Sequence, residues 1–110
     1  MNNHFQKVQD LKTLRELLAQ SAEKPIVIFK HSTTCPVSAG AYAEVAGVSS
    51  EVALVDVQRA RDISSEIAMS TGVGHESPQV IILRNGKPVW HASHWSIKKE
   101  TIEKALRENS

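Results

Sequence analysis

The chain has 110 residues, is 41% hydrophobic, and sets 13 Lys and Arg against 12 Asp and Glu. That length fits one domain over residues 1–110, with a core large enough to need no disulfide or metal staple. The near-neutral balance argues against a general nucleic-acid or anionic-membrane surface, since both need a basic excess.

The apolar runs, such as Ile26–Phe29 and Val80–Leu83, fall far short of the ~20 residues that span a bilayer. The opening stretch MNNHFQKVQDL has no apolar segment of the secretory kind. A single cysteine permits no intramolecular disulfide. Together these features predict a cytoplasmic protein in a reducing compartment.

Leu11, Leu14 and Leu18 recur at helical spacing, which predicts an amphipathic helix over Val8 to Gln20. Pro25 opens a continuous apolar run, Ile26 to Phe29, which suits a strand covered on both faces. A polar turn follows at His31-Ser32-Thr33-Thr34. Cys35 to about Ala46 reads as a second helix, with Pro36 in its first turn and Ala39, Tyr42, Ala43 and Ala46 as its buried stripe. Val52 to Val57 is β-branched and predicts a second strand. Asp62 is the predicted N-cap of a third helix carrying Ile63, Ile67 and Ala68, closed near Gly72. Pro78 introduces a third strand, Gln79 to Leu83. Asn85-Gly86 signals a two-residue hairpin, with Lys87 to His91 returning. Ser96 is the predicted cap of a last helix that turns Ile97, Ile102, Ala105 and Leu106 inward. The order α-β-α-β-α-β-β-α predicts an α/β fold: a four-stranded mixed sheet with helices on both faces, as in thioredoxin and glutaredoxin.

The residue with most chemistry is Cys35. Between a buried strand and a helix start, its thiolate would meet unpaired N–H groups and the positive end of the helix dipole. Both lower a thiol pKa, and the thiolate is the species that attacks a disulfide. The neighbours Ser32, Thr33, Thr34 and Pro36 form no apolar stripe, which favours this reading over an inert buried thiol. Ser38, three residues on, stands where a dithiol enzyme would carry a resolving cysteine. It either donates a hydrogen bond to the thiolate or satisfies a first-turn N–H.

Parallel pairing of the first two strands carries Arg59 and Arg61 to the edge that holds Cys35. The returning hairpin strand brings His91, Ser93, His94, Trp95 and Ser96 there. With His31, the groups Arg59, Arg61, His94, Trp95 and the helix start at Ser96 are candidates for binding a small anionic thiol. The plainer alternatives are solvated loop arginines, a core Trp90, Trp95 as a lid over the last helix, and locally bonded histidines. The Cys and His spacing does not form a metal-binding pattern, so no metal is expected.

With these residues assembled, the chain resembles the monothiol bacilliredoxins of the YtxJ-like family. The similar stretches are Phe29-Lys30-His31-Ser32-Thr33-Thr34-Cys35-Pro36-Val37-Ser38, Val55-Asp56-Val57-Gln58, Glu76-Ser77-Pro78-Gln79 and Trp90-His91-Ala92-Ser93-His94-Trp95. The resemblance implies that Cys35 is the catalytic residue, supported by Thr34, Pro36, Ser38, Ser77 and Pro78. Fold-level placement makes Ser77-Pro78 a cis bond beside the cysteine, against the usual trans preference. The co-substrate would be bacillithiol, a malate-bearing low-molecular-weight thiol, with no bound cofactor. The partners would be S-bacillithiolated client proteins. The alternative function is a non-catalytic binding or thiol-sensing module on the same fold.

Overall fold

The computed structural model describes residues 4–32 and 36–110. In chain order the elements are β1 (Phe5–Lys7), α1 (Leu11–Gln20), β2 (Ile26–His31), α2 (Pro36–Ala46), β3 (Val52–Asp56), α3 (Arg61–Thr71), β4 (Gln79–Arg84), β5 (Lys87–Ser93), a 3₁₀ turn (His94–Ser96) and α4 (Lys99–Glu108). The strands form one mixed sheet in the order β1-β3-β2-β4-β5. β1 and β2 flank β3 in parallel, whereas β4 runs antiparallel to both β2 and β5. The fold class agrees with expectation, but the sheet has five strands rather than four.

The extra strand explains why the first helix is shorter than predicted. Phe5–Lys7 pairs with Val52–Leu54, and the Val8 amide prolongs that ladder by donating to Leu54 O at 2.9 Å. Asp10 then caps α1 by accepting from the Thr13 amide at 2.8 Å, so the helix starts at Leu11 rather than Val8. Three residues are too few to show a strand period, and an edge strand of this kind is specified mainly by its partner.

The six residues of β2 are all buried. Alternation assigns them to two cores. Ile26 and Ile28 meet Leu14 and Leu17 of α1, Ile63 and Ile67 of α3, and Ile81 and Leu83 of β4. Val27 and Phe29 meet Ala41 and Val45 of α2, Ile102 and Ala105 of α4, and Val80 and Ile82 of β4. Helices therefore cover both faces of the sheet. Among the described residues, no helix is long and apolar enough to cross a membrane.

Several local expectations are corrected. The buried stripe of α2 is Ser38, Ala41 and Val45, whereas Ala39, Tyr42, Ala43 and Ala46 are exposed. Its small and apolar residues are spread nearly all round the helix, so the sequence period selects no face. Ala60, not Asp62, holds the N-cap position of α3, and Asp62 lies in the first turn, where its charge still suits the helix dipole. Gly72 closes α3 with φ 74°, as expected of a left-handed C-terminal residue. Ser96 does not cap the last helix. It ends the 3₁₀ turn, and α4 starts at Lys99, whose amide donates to Glu44 Oε1 on α2 at 2.8 Å. The Asn85-Gly86 hairpin is present, with φ 57° and 73° as a two-residue type I′ turn requires, though β5 runs on to Ser93.

Candidate active site

Strand directions bring four connections to one edge of the sheet. The C-terminal ends of β3, β2 and β5 lie there, next to the N-terminal end of β4. The segment leaving β2 contains Cys35, the segment entering β4 contains Ser77-Pro78, and the segment leaving β5 is the turn of His94, Trp95 and Ser96.

Cys35 and Thr34 lie outside the described residues, so the predicted thiolate is approached through its flanks. Helix α2 starts at Pro36, immediately after Cys35. Proline suits this position because the missing N–H is one that no helical carbonyl could accept anyway. The other first-turn amides lack intrahelical acceptors and make this end of the helix positive. Ser38 is buried at 2% exposure, and its Oγ accepts from the Ser32 amide at 3.2 Å. That bond ties the chain just before residues 33–35 to the first turn just after them. Ser38 thus serves as an acceptor for the Ser32 amide, and its hydroxyl hydrogen can still be donated.

Across the edge, the Ser77-Pro78 bond is cis, as fold-level placement implied. Pro78 O accepts from the His94 amide at 3.0 Å, fixing the entry of β4 to the exit of β5. His94 adopts φ 52°, an uncommon conformation for a non-glycine residue, and its Nε2 lies 3.6 Å from Glu76 Oε1. Ser77 Oγ is buried and has no hydrogen-bond partner among the described residues. Trp95 is 73% exposed and Ser96 is also exposed, so Trp95 is not a lid over the last helix.

The sequence reading missed what lies beneath residues 72–78. Lys30 is 0% exposed, and its Nζ donates to Gln79 Oε1 at 3.0 Å. Gln79 Nε2 in turn donates to Gly74 O at 3.0 Å. His75 Nδ1 lies 3.0 Å from Ser64 Oγ of α3, and the Val73 amide donates to Thr71 Oγ1 at 3.1 Å. Burial drives the Lys30 pKa down to about 8, against the opposing pull of Glu76. Burial also lowers His75, with the Lys30 charge acting in the same direction. The available signal was positional. In a strand covered on both faces there is no exposed place for Lys30 to occupy.

The binding candidates separate. His31 ends β2 at 8% exposure, with its ring 5.4 Å from Phe29 and 5.9 Å from Tyr42. Burial lowers its pKa and Asp56 partly opposes this, so the ring is neutral at pH 7. His31, Tyr42, Asp56, Arg59 and Lys7 border a cavity of about 510 Å³. Arg59 is exposed and approaches Asp56 at 3.9 Å. Arg61 does not join it. It borders a different concavity on α3, with Ser64, Met69 and His75. The expected cluster is therefore split, with His31 and Arg59 at one place, Arg61 at a second, and His94 and Trp95 beside Pro78.

Residues 6–102 match the family model described as Monothiol bacilliredoxin BrxC. The chain belongs to the monothiol bacilliredoxin family. A solved structure described as a provisional oxidoreductase with a thioredoxin fold superposes with a TM-score of 0.84 at 31% identity, covering 92% of each chain. Thioredoxin from Fasciola hepatica superposes with a TM-score of 0.74 at 14% identity, over 96% of this chain and 99% of its own. A thioredoxin variant from Halobacterium salinarum gives 0.74 at 13% identity, over 96% and 89%. The two thioredoxin matches show the fold alone. Bacilliredoxin membership and the thioredoxin fold together point to thiol–disulfide oxidoreductase chemistry.

Proposed function

We propose that this bacilliredoxin removes bacillithiol from S-bacillithiolated client proteins, using Cys35 as its one redox-active residue. The Cys35 thiolate attacks the bacillithiol sulfur of the client mixed disulfide. The client sulfur leaves as a thiolate with the bonding electron pair, and a Cys35–bacillithiol disulfide forms. A second low-molecular-weight thiol, as its thiolate, attacks the bacillithiol sulfur of that adduct. This frees Cys35 as a thiolate and yields the oxidised small-molecule disulfide. Each step is a two-electron exchange between sulfurs and needs no bound cofactor.

The observation that carries this reading is the start of α2 at Pro36, directly after Cys35, which aims unpaired amides at that end of the helix. Ser38 and Ser77 supply hydroxyls at the same edge, one buried and accepting from the Ser32 amide, the other buried without a partner among the described residues. The cavity beside His31 is bordered by Lys7 and Arg59 as well as Asp56, so it offers cationic groups to the malate carboxylates of such a thiol.

The test is to follow release of bacillithiol from a client with wild type and with Cys35→Ala, in the presence of free bacillithiol. Wild type is expected to accelerate release and Cys35→Ala to leave it at the uncatalysed rate. Equal rates would overturn the proposal. A non-catalytic module would show the same null result together with a Cys35 alkylation rate typical of an unperturbed thiol.

A further inference from the structure

We infer that Lys30 is a buried positioning residue for client docking, which fixes the amide of Gln79 and through it holds the segment that leads into Pro78. The role as part of a client-reducing enzyme rests on the proposed function; the tether itself does not. A fully buried ammonium is expensive unless a carboxylate compensates it, and among the described residues Lys30 makes no ion pair. Its charged neighbours are Glu76, which is half exposed and turned to His94, and His75, which burial favours as the neutral form. A methionine or leucine would fill this site without that cost, so the amine contributes something other than packing.

The hydrogen-bond chemistry identifies the contribution. An ammonium has donors and no acceptor. Beside it, Gln79 must present Oε1, and its NH₂ group is then forced to the opposite side. There it meets Gly74 O at 3.0 Å. An isolated glutamine can flip its amide and exchange the two ends, but facing Lys30 it cannot. Gly74 lies within residues 72–78, which connect the left-handed end of α3 to the cis bond. Its carbonyl bond to Gln79 is therefore set from below by a residue of β2. The same β2 ends at His31, four residues before Cys35 in the chain, so one strand both leads toward the cysteine and braces the segment before Pro78.

The test uses two variants. Lys30→Met keeps length and removes the donor. Gln79→Glu keeps an acceptor for Lys30, as an ion pair, but removes the NH₂ that reaches Gly74. Hydrogen exchange of the peptide spanning residues 72–78 reads the tether without reference to any substrate. Both variants are expected to speed exchange there by about three- to tenfold, the range of one lost hydrogen bond. In client reduction both are expected to raise KM by a similar factor with kcat changed less, and to leave iodoacetamide alkylation of Cys35 unchanged. Unchanged exchange in Gln79→Glu would overturn the tether. Changed exchange with unchanged KM, in an active wild type, would overturn the docking role. Slowed alkylation in Lys30→Met alone would show that the charge acts on the thiol instead, and would also overturn it. An inactive wild type would count against the proposed function while leaving the exchange result to stand for the tether.

Discussion

The two faces of β2 reach the edge of the candidate site in different ways. Toward α2 and α4, the strand ends in rings, with Phe29 beneath His31 and both beside Tyr42. Toward α1 and α3, Ile26 and Ile28 give way to Lys30, whose ammonium meets one neutral amide. Both ends are buried and both hold a titratable group, yet one resolves burial by keeping an imidazole neutral and the other keeps an amine with a hydrogen-bond acceptor. The aromatic face therefore contributes packing. The lysine face carries a cost in stability that is offset by orientation of the residues above it.

The largest expected effect falls on the aromatic face. Phe29 is 0% exposed and belongs to the cluster shared with α2, β3, β4 and α4. Phe29→Ala removes the ring and leaves a cavity among residues from four elements, so unfolding free energy should drop by about 3–5 kcal/mol in urea titration. A drop below about 1 kcal/mol would mean that this face is far less tightly packed than the contacts indicate.

Next comes Lys30, where the sign is opposite to that of an ordinary buried contact. The amine titrates at 10.5 in the unfolded chain and at about 8 in the fold. Between those values the unfolded state holds the extra proton, so stability rises with pH by up to about 1.4 kcal/mol per pH unit. Below about 8 the whole penalty is present. Lys30→Met should lack the rise, and at neutral pH it should be no less stable than wild type. Parallel stability profiles for the two proteins across this interval would show that Lys30 carries no buried charge.

Ser38 lies just beyond the C-terminal end of β2, in the first turn of α2. Ser38→Ala removes the acceptor of the Ser32 amide. The expected loss is about 0.5–1.5 kcal/mol in stability. Alkylation of Cys35 at neutral pH should slow as well, because the variant also lacks the hydroxyl hydrogen. Unchanged alkylation with reduced stability would assign Ser38 to the Ser32 bond alone.

What could be read in the sequence follows from how much of each element is local. The 85–86 hairpin, the end of α3 at Gly72 and the burial of β2 are written in neighbouring residues, and they stand as read. β1 depends on an edge offered by β3, and the start of α4 on Glu44 from α2, so neither has a local signature. The same distinction runs through the site. Pro36 and Ser38 are positioned by their own helix, whereas the Lys30–Gln79–Gly74 chain joins residues 49 apart in the sequence, with no spacing to announce it. Arg59 and Arg61 are two apart, a spacing that suggests a pair, yet the turn into α3 sends them to separate concavities.

The smallest expected effect concerns His31, and it tests whether the ring face is neutral as described. In the unfolded chain this imidazole titrates near 6.5, and in the fold burial lowers that value. As pH falls through 6.5 the unfolded state takes up the proton first, so wild type should lose stability on acidification relative to His31→Phe, until the folded ring protonates in turn. His75 shifts in the same direction but is present in both proteins and cancels in the difference. Asp56, the register partner of His31, opposes the shift, and Arg59 lies near that carboxylate. Asp56→Asn should therefore deepen the acid loss, while Arg59→Ala, which frees the Asp56 charge, should make it slightly shallower. A stability difference between wild type and His31→Phe that stays flat from neutrality into the carboxylate range would mean that the ring is solvated. The contrast between a neutral aromatic face and a charged lysine face would then fail at its aromatic end.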